Sequence, residues 1–220
     1  MVKIIQRKGL VMEKIDFKKK YKSIYRPSTK KPSVVDVPIL KIAVLTGQGN
    51  PNTSESFSDA ISALYGLSYT ISMSDKGDFK IPGFYNYVVP PLEGVWDVID
   101  GKGYELTNKD NLKWKIGIVQ PEFVTDSIFN TAKERAYKNK GIESIKDLKL
   151  EQVEDGLCCT FMHIGSYDNE KESFALMQKF CDENGYKRML MTHREIYLSN
   201  FKKTAPEKLK TVLRFKVEKI

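Results

Sequence analysis

Apolar residues recur along this chain in two rhythms, and the order of the rhythms repeats. A nearly continuous apolar run, "ILKIAVLT" (39–46), reads as a buried strand. Phe57, Ala60, Ile61, Leu64 and Tyr65 then mark one face of a 3.6-residue period, an amphipathic helix. Two more strand patterns follow, "YVVPPLEGVW" (87–96) and "NLKWKIGIV" (111–119). The second half runs the same way. "LCCTFMHI" (157–164) precedes a helix striped by Phe174, Met177, Phe180 and Cys181 and ending at Gly185; "HREIYLS" (193–199) and "KLKTVLRFKV" (208–217) come after it. "NTSESF" (52–57) and "NEKESF" (169–174) match as N-x-x-E-S-F, which predicts Asn52 and Asn169 as helix N-caps with a glutamate three residues on. The closing strands share Leu-Lys, at Leu112-Lys113 and Leu209-Lys210.

The pattern predicts an α+β fold: internally duplicated β-α-β-β units with pseudo-twofold symmetry, their antiparallel sheets forming a central ligand groove. The expected organisation is a basic N-terminal arm over 1–31 and a ligand-binding domain over 32–220. Within that domain, repeat one spans about 38–120 and repeat two about 151–220. Between them, in 121–150, Phe123, Val124, Ile128, Ala132 and Ala136 stripe a helix ending near Gly141, which either walls the groove or only connects the repeats.

"THREIYLSN" (192–200) gives the duplication chemical content. Ile196 and Leu198 alternate with polar residues, so His193, Glu195, Tyr197 and Ser199 share the other face. Alone, this reads as the solvated face of an antiparallel sheet. However, "PLEGVW" in the first half puts Glu93 where the second half has Glu195, each close to an aromatic, Trp96 or Tyr197. Duplication then predicts two glutamates facing each other across a groove, where a charge needs water, hydrogen-bond donors or a cationic ligand. The aromatic candidates for its walls are Tyr65, Tyr69, Tyr87, Trp96, Trp114, Tyr137 and Phe161. Trp114 shares parity with Leu112, Ile116 and Ile118, as a core residue would. Trp96 shares parity with Leu92 and Val98, but Pro90, Pro91 and Gly94 invite a bulge that turns it towards the groove. Tyr65 lies on the helix stripe and suits either role. His163 shares a face with Phe161 and reads as a hydrogen-bonded structural histidine rather than a base.

Composition changes the picture mainly by exclusion. The 220 residues, 41% hydrophobic and 29% charged, are ordinary for a globular chain with a real core. A net charge of +8 suggests a polyanion until it is located: residues 1–32 hold eleven basic and two acidic side chains, and the remainder is close to neutral. The basicity belongs to the arm, which reads as solvated. No helix-turn-helix or zinc-finger pattern accompanies it, so no nucleic-acid partner is expected. No apolar run approaches the ~20 residues of a membrane span, and the N-terminus has no secretory signature, so a cytoplasmic monomer is expected. Cys158, Cys159 and Cys181 lack metal spacing and read as buried small hydrophobes. With only His163 and His193 besides, neither metal nor cofactor is expected. "TGQGNPN" (46–52) lacks the third glycine and the lysine of phosphate-binding loops and reads as a tight strand-to-helix turn.

Four ordered stretches carry a family resemblance: "PSVVDVPILKIAVLTGQGNPNTSESFSDAISALYGLSYTI" (32–71), "VPPLEGVWDV" (89–98), "QPEFVTDSIFNTAKERAYKNKG" (120–141) and "HREIYLSN" (193–200). Together the chain, from about Met12 onward, resembles the GyrI-like small-molecule-binding domain family. The resemblance implies a tandem β-α-β-β fold whose groove takes aromatic, often cationic or polycyclic, xenobiotics. Relatives fused to a helix-turn-helix sense drugs; some stand-alone relatives are hydrolases that open the cyclopropane ring of DNA-alkylating natural products with an aromatic cage and acidic groups. Glu195 matches the family's ligand-facing glutamate. Where relatives often carry a second tryptophan after the "LEGLW" motif, this chain has Asp97. Two functions are therefore expected from one groove. Either hydrophobic aromatic molecules are sequestered, or they are hydrolysed with Glu195 as general base and Tyr197 as donor to the developing oxyanion.

Overall fold

The computed structural model describes residues 14–99 and 109–220. The chain folds as a mixed α/β protein around a curled antiparallel half-barrel sheet. In chain order the elements are β1 (Ile15–Asp16), α1 (Phe17–Lys20), α2 (Lys22–Tyr25), β2 (Ser33–Val37), β3 (Leu40–Gln48), α3 (Glu55–Ser72), β4 (Tyr87–Val88), β5 (Leu92–Val98) and β6 (Leu112–Val119). They continue with α4 (Asp126–Lys140), β7 (Lys149–Val153), β8 (Gly156–Ile164), α5 (Glu170–Glu183), β9 (Tyr186–Arg188), β10 (His193–Tyr197) and β11 (Lys210–Lys219). The large sheet has the order β2-β8-β11-β10-β5-β6-β3-β7, with β9 also on β11, while β1 and β4 form a small parallel pair.

The strands and helices expected from periodicity are present, except that the strand expected over 87–96 is split into β4, which pairs with β1, and β5 in the large sheet. The short strands β1, β2, β7 and β9 were not anticipated. β2 lies beside β8, and β7 beside β3; their short sequences, "SVVDV" and "KLEQV", alternate too briefly to stand out from loop. The helix caps also differ from expectation. Ser54, not Asn52, caps α3, its Oγ accepting from the amide of Phe57 at 3.3 Å. Asn169 occupies the N-cap of α5, but its side chain makes no capping bond. The reason lies in geometry: a cap is defined by where the helical dihedrals begin, and Ser54 stands at that boundary.

Cross-strand partners share a face of the sheet, so the register fixes which side chains meet. One face holds Trp96, Trp114, His193, Glu195, Tyr197 and Leu213. Helices α3 and α5 cover it: Phe57 of α3 packs 5.8 Å from Trp96 and 5.1 Å from Trp114, and Phe174 of α5 packs 4.6 Å from His193. Gly47 is required here, because a Cβ at that position would stand 2.2 Å from the Trp114 ring. Helix α4 packs along α3, burying Phe129, Ala132 and Ala136.

The opposite face holds Glu93, Arg194, Ile196, Val212 and Arg214. It is closed by the segment expected to be a solvated arm. From Phe17 onward that segment contributes to the core, with Phe17, Ile24 and Tyr25 all buried. The correction has a simple cause: Lys18, Lys19, Lys20 and Lys22 dominate the composition, yet three large apolar side chains among them face inward, each contributing about 1.5–3 kcal/mol on burial. The three cysteines are free and buried, as expected.

Candidate functional site

Strand β10 occupies the centre of the sheet, between β11 and β5, and is covered on both faces. Its alternation therefore does not divide core from solvent. It divides two buried environments, with His193 and Glu195 on one side and Arg194 and Ile196 on the other.

On the helix-covered side a chain of hydrogen bonds converges on Glu195. Trp96 Nε1 donates to Tyr197 Oη at 2.8 Å. Tyr197 Oη donates in turn to Glu195 Oε2 at 2.8 Å. His193 Nε2 lies 2.9 Å from Glu195 Oε1, the geometry of a ring N–H given to a carboxylate. Glu195 is only 5% exposed, so both of its oxygens are satisfied by protein.

Glu170, in the first turn of α5, completes the cluster. It is 2% exposed, presents a carboxyl oxygen within 4.8 Å of Glu195 and His193, and its Oε1 has no hydrogen-bond partner. Burial first, and the neighbouring Glu195 second, push its pKa well above the ordinary carboxylate range. Tyr167 closes the group: its ring meets that of Tyr197 edge-to-face at 5.8 Å, and burial pushes its phenol up to about 12. Burial, with Glu195 beside it, likewise raises Tyr197 well above the usual tyrosine value. Tyr167, Phe174 and Tyr197 are half-buried and form the rim of the cluster.

Glu170, His193 and Glu195 each present one oxygen or nitrogen within 4.8 Å of the others. The spacing would suit a cation, but both Glu195 oxygens already accept hydrogen bonds. A cation held by all three would replace the His193–Glu195 hydrogen bond with bonds to the ion. As arranged, hydrogen bonds link Trp96, Tyr197, Glu195 and His193 in one chain.

The other expected site residues disperse. Glu93 is the main correction. It pairs with Ile196, whereas Glu195 pairs with Gly94, so the two glutamates point to opposite faces and share no groove. The expectation that matched Glu93 with Glu195 is off by one residue in register, and one residue reverses the face. Glu93 instead accepts from Tyr25 Oη at 3.1 Å and pairs with Arg194 at 3.4 Å, in a buried set completed by Asp155 and Arg214. Trp114 is core, as its parity suggested. Trp96 keeps the parity of Leu92 and Val98 yet belongs to both core and site.

Tyr65 stacks on Tyr69 at 6.0 Å and hydrogen-bonds to the backbone of Leu92. Tyr87 belongs to a separate aromatic group with Phe17, Tyr85 and Phe123. Tyr137 donates to Glu143 at the surface. Phe161 sits in a core cluster with Cys159, Met177 and Leu213. His163 is held between Ser173 Oγ, 2.9 Å away, and the Ser166 carbonyl, 3.1 Å away. A surface recess of about 320 Å³ is lined by Tyr69, Met73, Phe79 and Arg135, and another of about 490 Å³ by Lys31, Val34, Phe180 and Tyr186. Neither shares a lining residue with the Glu195 cluster. The sequence pattern did not point to Glu170, Tyr167 or Phe174.

The cluster sets convergent polar groups beside aromatic rings, the residue types that line many small-molecule sites. The chain belongs to the GyrI-like small-molecule-binding domain family, whose sequence model matches residues 30–218. An uncharacterised conserved protein from Listeria innocua is 38% identical and superposes with a TM-score of 0.87, over 93% of this chain and 100% of that one. A hydrolase encoded by lin2189 of Listeria innocua is 37% identical with a TM-score of 0.87, over 94% of this chain and 100% of the other. The C-terminal domain of EcmrR, 15% identical with a TM-score of 0.50 over 86% and 98% of the two chains, shares the fold. None of the curated proteins matches the chain. Among the described residues no helix is long and apolar enough to cross a membrane.

Proposed function

We propose that the chain is a hydrolase that opens a strained electrophilic ring in polycyclic aromatic small molecules, with the cyclopropane of DNA-alkylating natural products as the substrate class. The observation that carries this reading is the buried Glu195–Glu170 pair, hydrogen-bonded to Tyr197 and set against aromatic rings. Carboxylates with separated environments are how one site supplies both acid and base. Glu195 is the general base that takes a proton from water. Tyr197 Oη already donates its hydrogen bond to Glu195, so its role in this reading is to orient the base. Trp96 holds Tyr197 in turn, and Tyr167 and Phe174 provide flat apolar contact for an aromatic ligand. The 37% identical Listeria innocua hydrolase supports the same reaction class.

The test is to incubate the protein with a cyclopropane-bearing DNA alkylator and follow product by mass. A product heavier by one water, absent with Glu195→Gln, is the expected result. The half-buried rings of Tyr167 and Tyr197 over the acid pair would equally suit capture of a xenobiotic without turnover. Tight binding with no change in mass would select that sequestering function instead.

A further inference from the structure

We propose that Met189, Leu190 and Met191, in the loop between β9 and β10, form an apolar platform beside the Glu195 site that holds the apolar extension of an elongated aromatic ligand. The inference rests on the small-molecule reading above and adds a feature of the ligand to it: a planar head joined to a second, apolar part. It begins from exposure. The three side chains are 52%, 55% and 64% exposed, although leucine and methionine are residue types that proteins usually bury. Single exposed apolar residues are ordinary, but three in succession are out of place on a surface unless something covers them in use.

The loop backbone is tied down while its side chains stay in solvent. The Met189 amide donates to the Lys216 carbonyl at 3.0 Å. Arg188 Nε donates to the Leu190 carbonyl at 2.8 Å, and its Nη2 donates to the Met191 carbonyl at 2.6 Å. Each of the three residues thus has one backbone group fixed, and a ligand need not first order the loop. The same guanidinium lies 4.3 Å from the centre of the Phe215 ring and 5.7 Å from that of Phe174. Phe174 in turn packs 4.6 Å from His193. Arg188 therefore joins the loop to the rim of the site, and Met191 stands two residues before His193. His193 pairs with Trp96, so Ile99, three residues past Trp96 and 42% exposed, lies at that same end of the β5–β10 pair.

The surroundings choose among occupants. A handful of side chains falls well short of the roughly 800 Å² that each partner of a stable complex buries, which disfavours a second copy of the chain. Lys187, beside the loop, pairs with Glu218 at 3.8 Å, and Arg188 is engaged as described, so neither offers free charge to an anionic bilayer. A ligand suits the position. Glu195 and His193 are 5% and 4% exposed, so a molecule larger than the cluster extends along its half-buried rim, and past Phe174 it meets this loop. Methionine, unbranched and polarisable, adapts to ligand surfaces of different shape.

Two dyes test the platform on the full chain: acridine orange, a cationic tricycle, and its 10-nonyl derivative, the same ring carrying an alkyl tail. In fluorescence titrations wild type should bind the nonyl dye about 10-fold more tightly, the effect of roughly two buried methylenes. Leu190→Ser combined with Met191→Ser should erase that preference and leave the affinity for acridine orange unchanged. Both side chains are exposed, so the melting temperature should hold; if the double variant does not fold, Met191→Gln alone should still halve the preference or more. With a cyclopropane-bearing alkylator that carries an apolar extension, the double variant should raise KM about 10-fold and keep kcat. A nonyl preference that survives the substitutions rejects the platform alone. So does its absence in wild type when Glu195→Gln still weakens acridine orange. If neither dye responds to Glu195→Gln, the small-molecule reading of the Glu195 site fails, and with it a platform that extends that site. Co-sedimentation of wild type, but not of the double variant, with vesicles of phosphatidylcholine and phosphatidylglycerol would give the loop to a bilayer. A dimer that the double variant dissolves would give it to a second copy, and either result overturns the proposal.

Discussion

Glu195 and Gly94 stand directly opposite each other on adjacent strands, and the missing side chain of the glycine lets the acid site form. A Cβ at Gly94 would lie 2.9 Å from Trp96 Nε1 and 3.0 Å from Tyr197 Oη, against the bond that joins them. Gly94→Ala should therefore separate Trp96 from Tyr197 and leave Glu195 without its oriented donor. The expected cost is about 1–3 kcal/mol of stability, as for overpacking, together with loss of turnover. Denaturant melts and the mass assay check it. An alanine variant with wild-type stability and rate would show that the hydrogen-bond chain can rearrange freely.

Glu195→Gln separates the chemistry of the site from its packing. It retains the shape, removes the charge beside Glu170, and converts an acceptor of two hydrogen bonds into a mixed group. Relief of the acid–acid contact offsets the lost charge-assisted bonds, so the melting temperature should change little. Hydrolysis should vanish, since an amide cannot take a proton from water. Affinity for a cationic aromatic dye should fall by about 1.5–3 kcal/mol. Fluorescence titration beside a thermal melt reads both, and unchanged dye affinity would remove Glu195 from the binding surface.

The unevenness of what could be read from the sequence has physical causes. Long apolar runs and helical stripes announce their elements because burial imposes the period, and "HREIY" announces Glu195 through alternation and family resemblance. Register leaves no such mark. Nothing in "PLEGVW" says whether Glu93 or Gly94 pairs with Glu195, and that single step sends Glu93 to the other face. Glu170 stands in "NEKES", a charged run that looks like the solvated first turn of a helix. Its burial comes from docking α5 against β10, which no local pattern encodes. Phe17, Ile24 and Tyr25 are similarly hidden among lysines.

Those three residues supply a third prediction. Removing residues 1–26 would uncover the face that holds Glu93, Ile196 and Arg214, exposing buried charge and apolar surface together. The shortened chain should lose several kcal/mol and its cooperative melt, whereas Tyr25→Phe should cost only about 1–3 kcal/mol for the bond to Glu93. Urea melts of the two proteins decide it. A truncated chain that melts like wild type would mean the segment only rests on the core. Residues 1–11, which precede the stretch that resembles the family, lie outside the described residues.

Glu93 should now behave unlike Glu195. It balances Arg194 inside a buried set of two arginines and two acids. Glu93→Gln leaves a buried guanidinium short of a counter-charge, which typically costs about 3–5 kcal/mol. Turnover per folded molecule should survive, because Glu93 and the Glu195 site lie on different faces. Comparison of denaturant midpoints with kcat at saturating substrate distinguishes the two, and equal loss of rate in both variants would contradict the separation of faces.

Asp155 adds a dependence on acid. Burial alone would raise its pKa, but Arg194, bonded through Nε at 2.8 Å and a second nitrogen at 3.1 Å, and Arg214 at 3.0 Å outweigh burial and hold it below the ordinary value. A carboxyl whose folded pKa is depressed stabilises the fold above its unfolded pKa of about 3.9 and loses that contribution as pH falls through the folded value. Glu170, with its pKa raised, has the opposite sign: its contribution is complete below the unfolded value and declines as pH rises. Between them the two acids favour a stability maximum at about pH 4–5. Asp155→Asn should be destabilised by about 3–5 kcal/mol at pH 7, the deficit shrinking below pH 4 as wild type loses the same charge. Melting both proteins between pH 2 and pH 8 tests this, and a deficit that stays constant across that range would mean the arginines do not depend on the charge of Asp155.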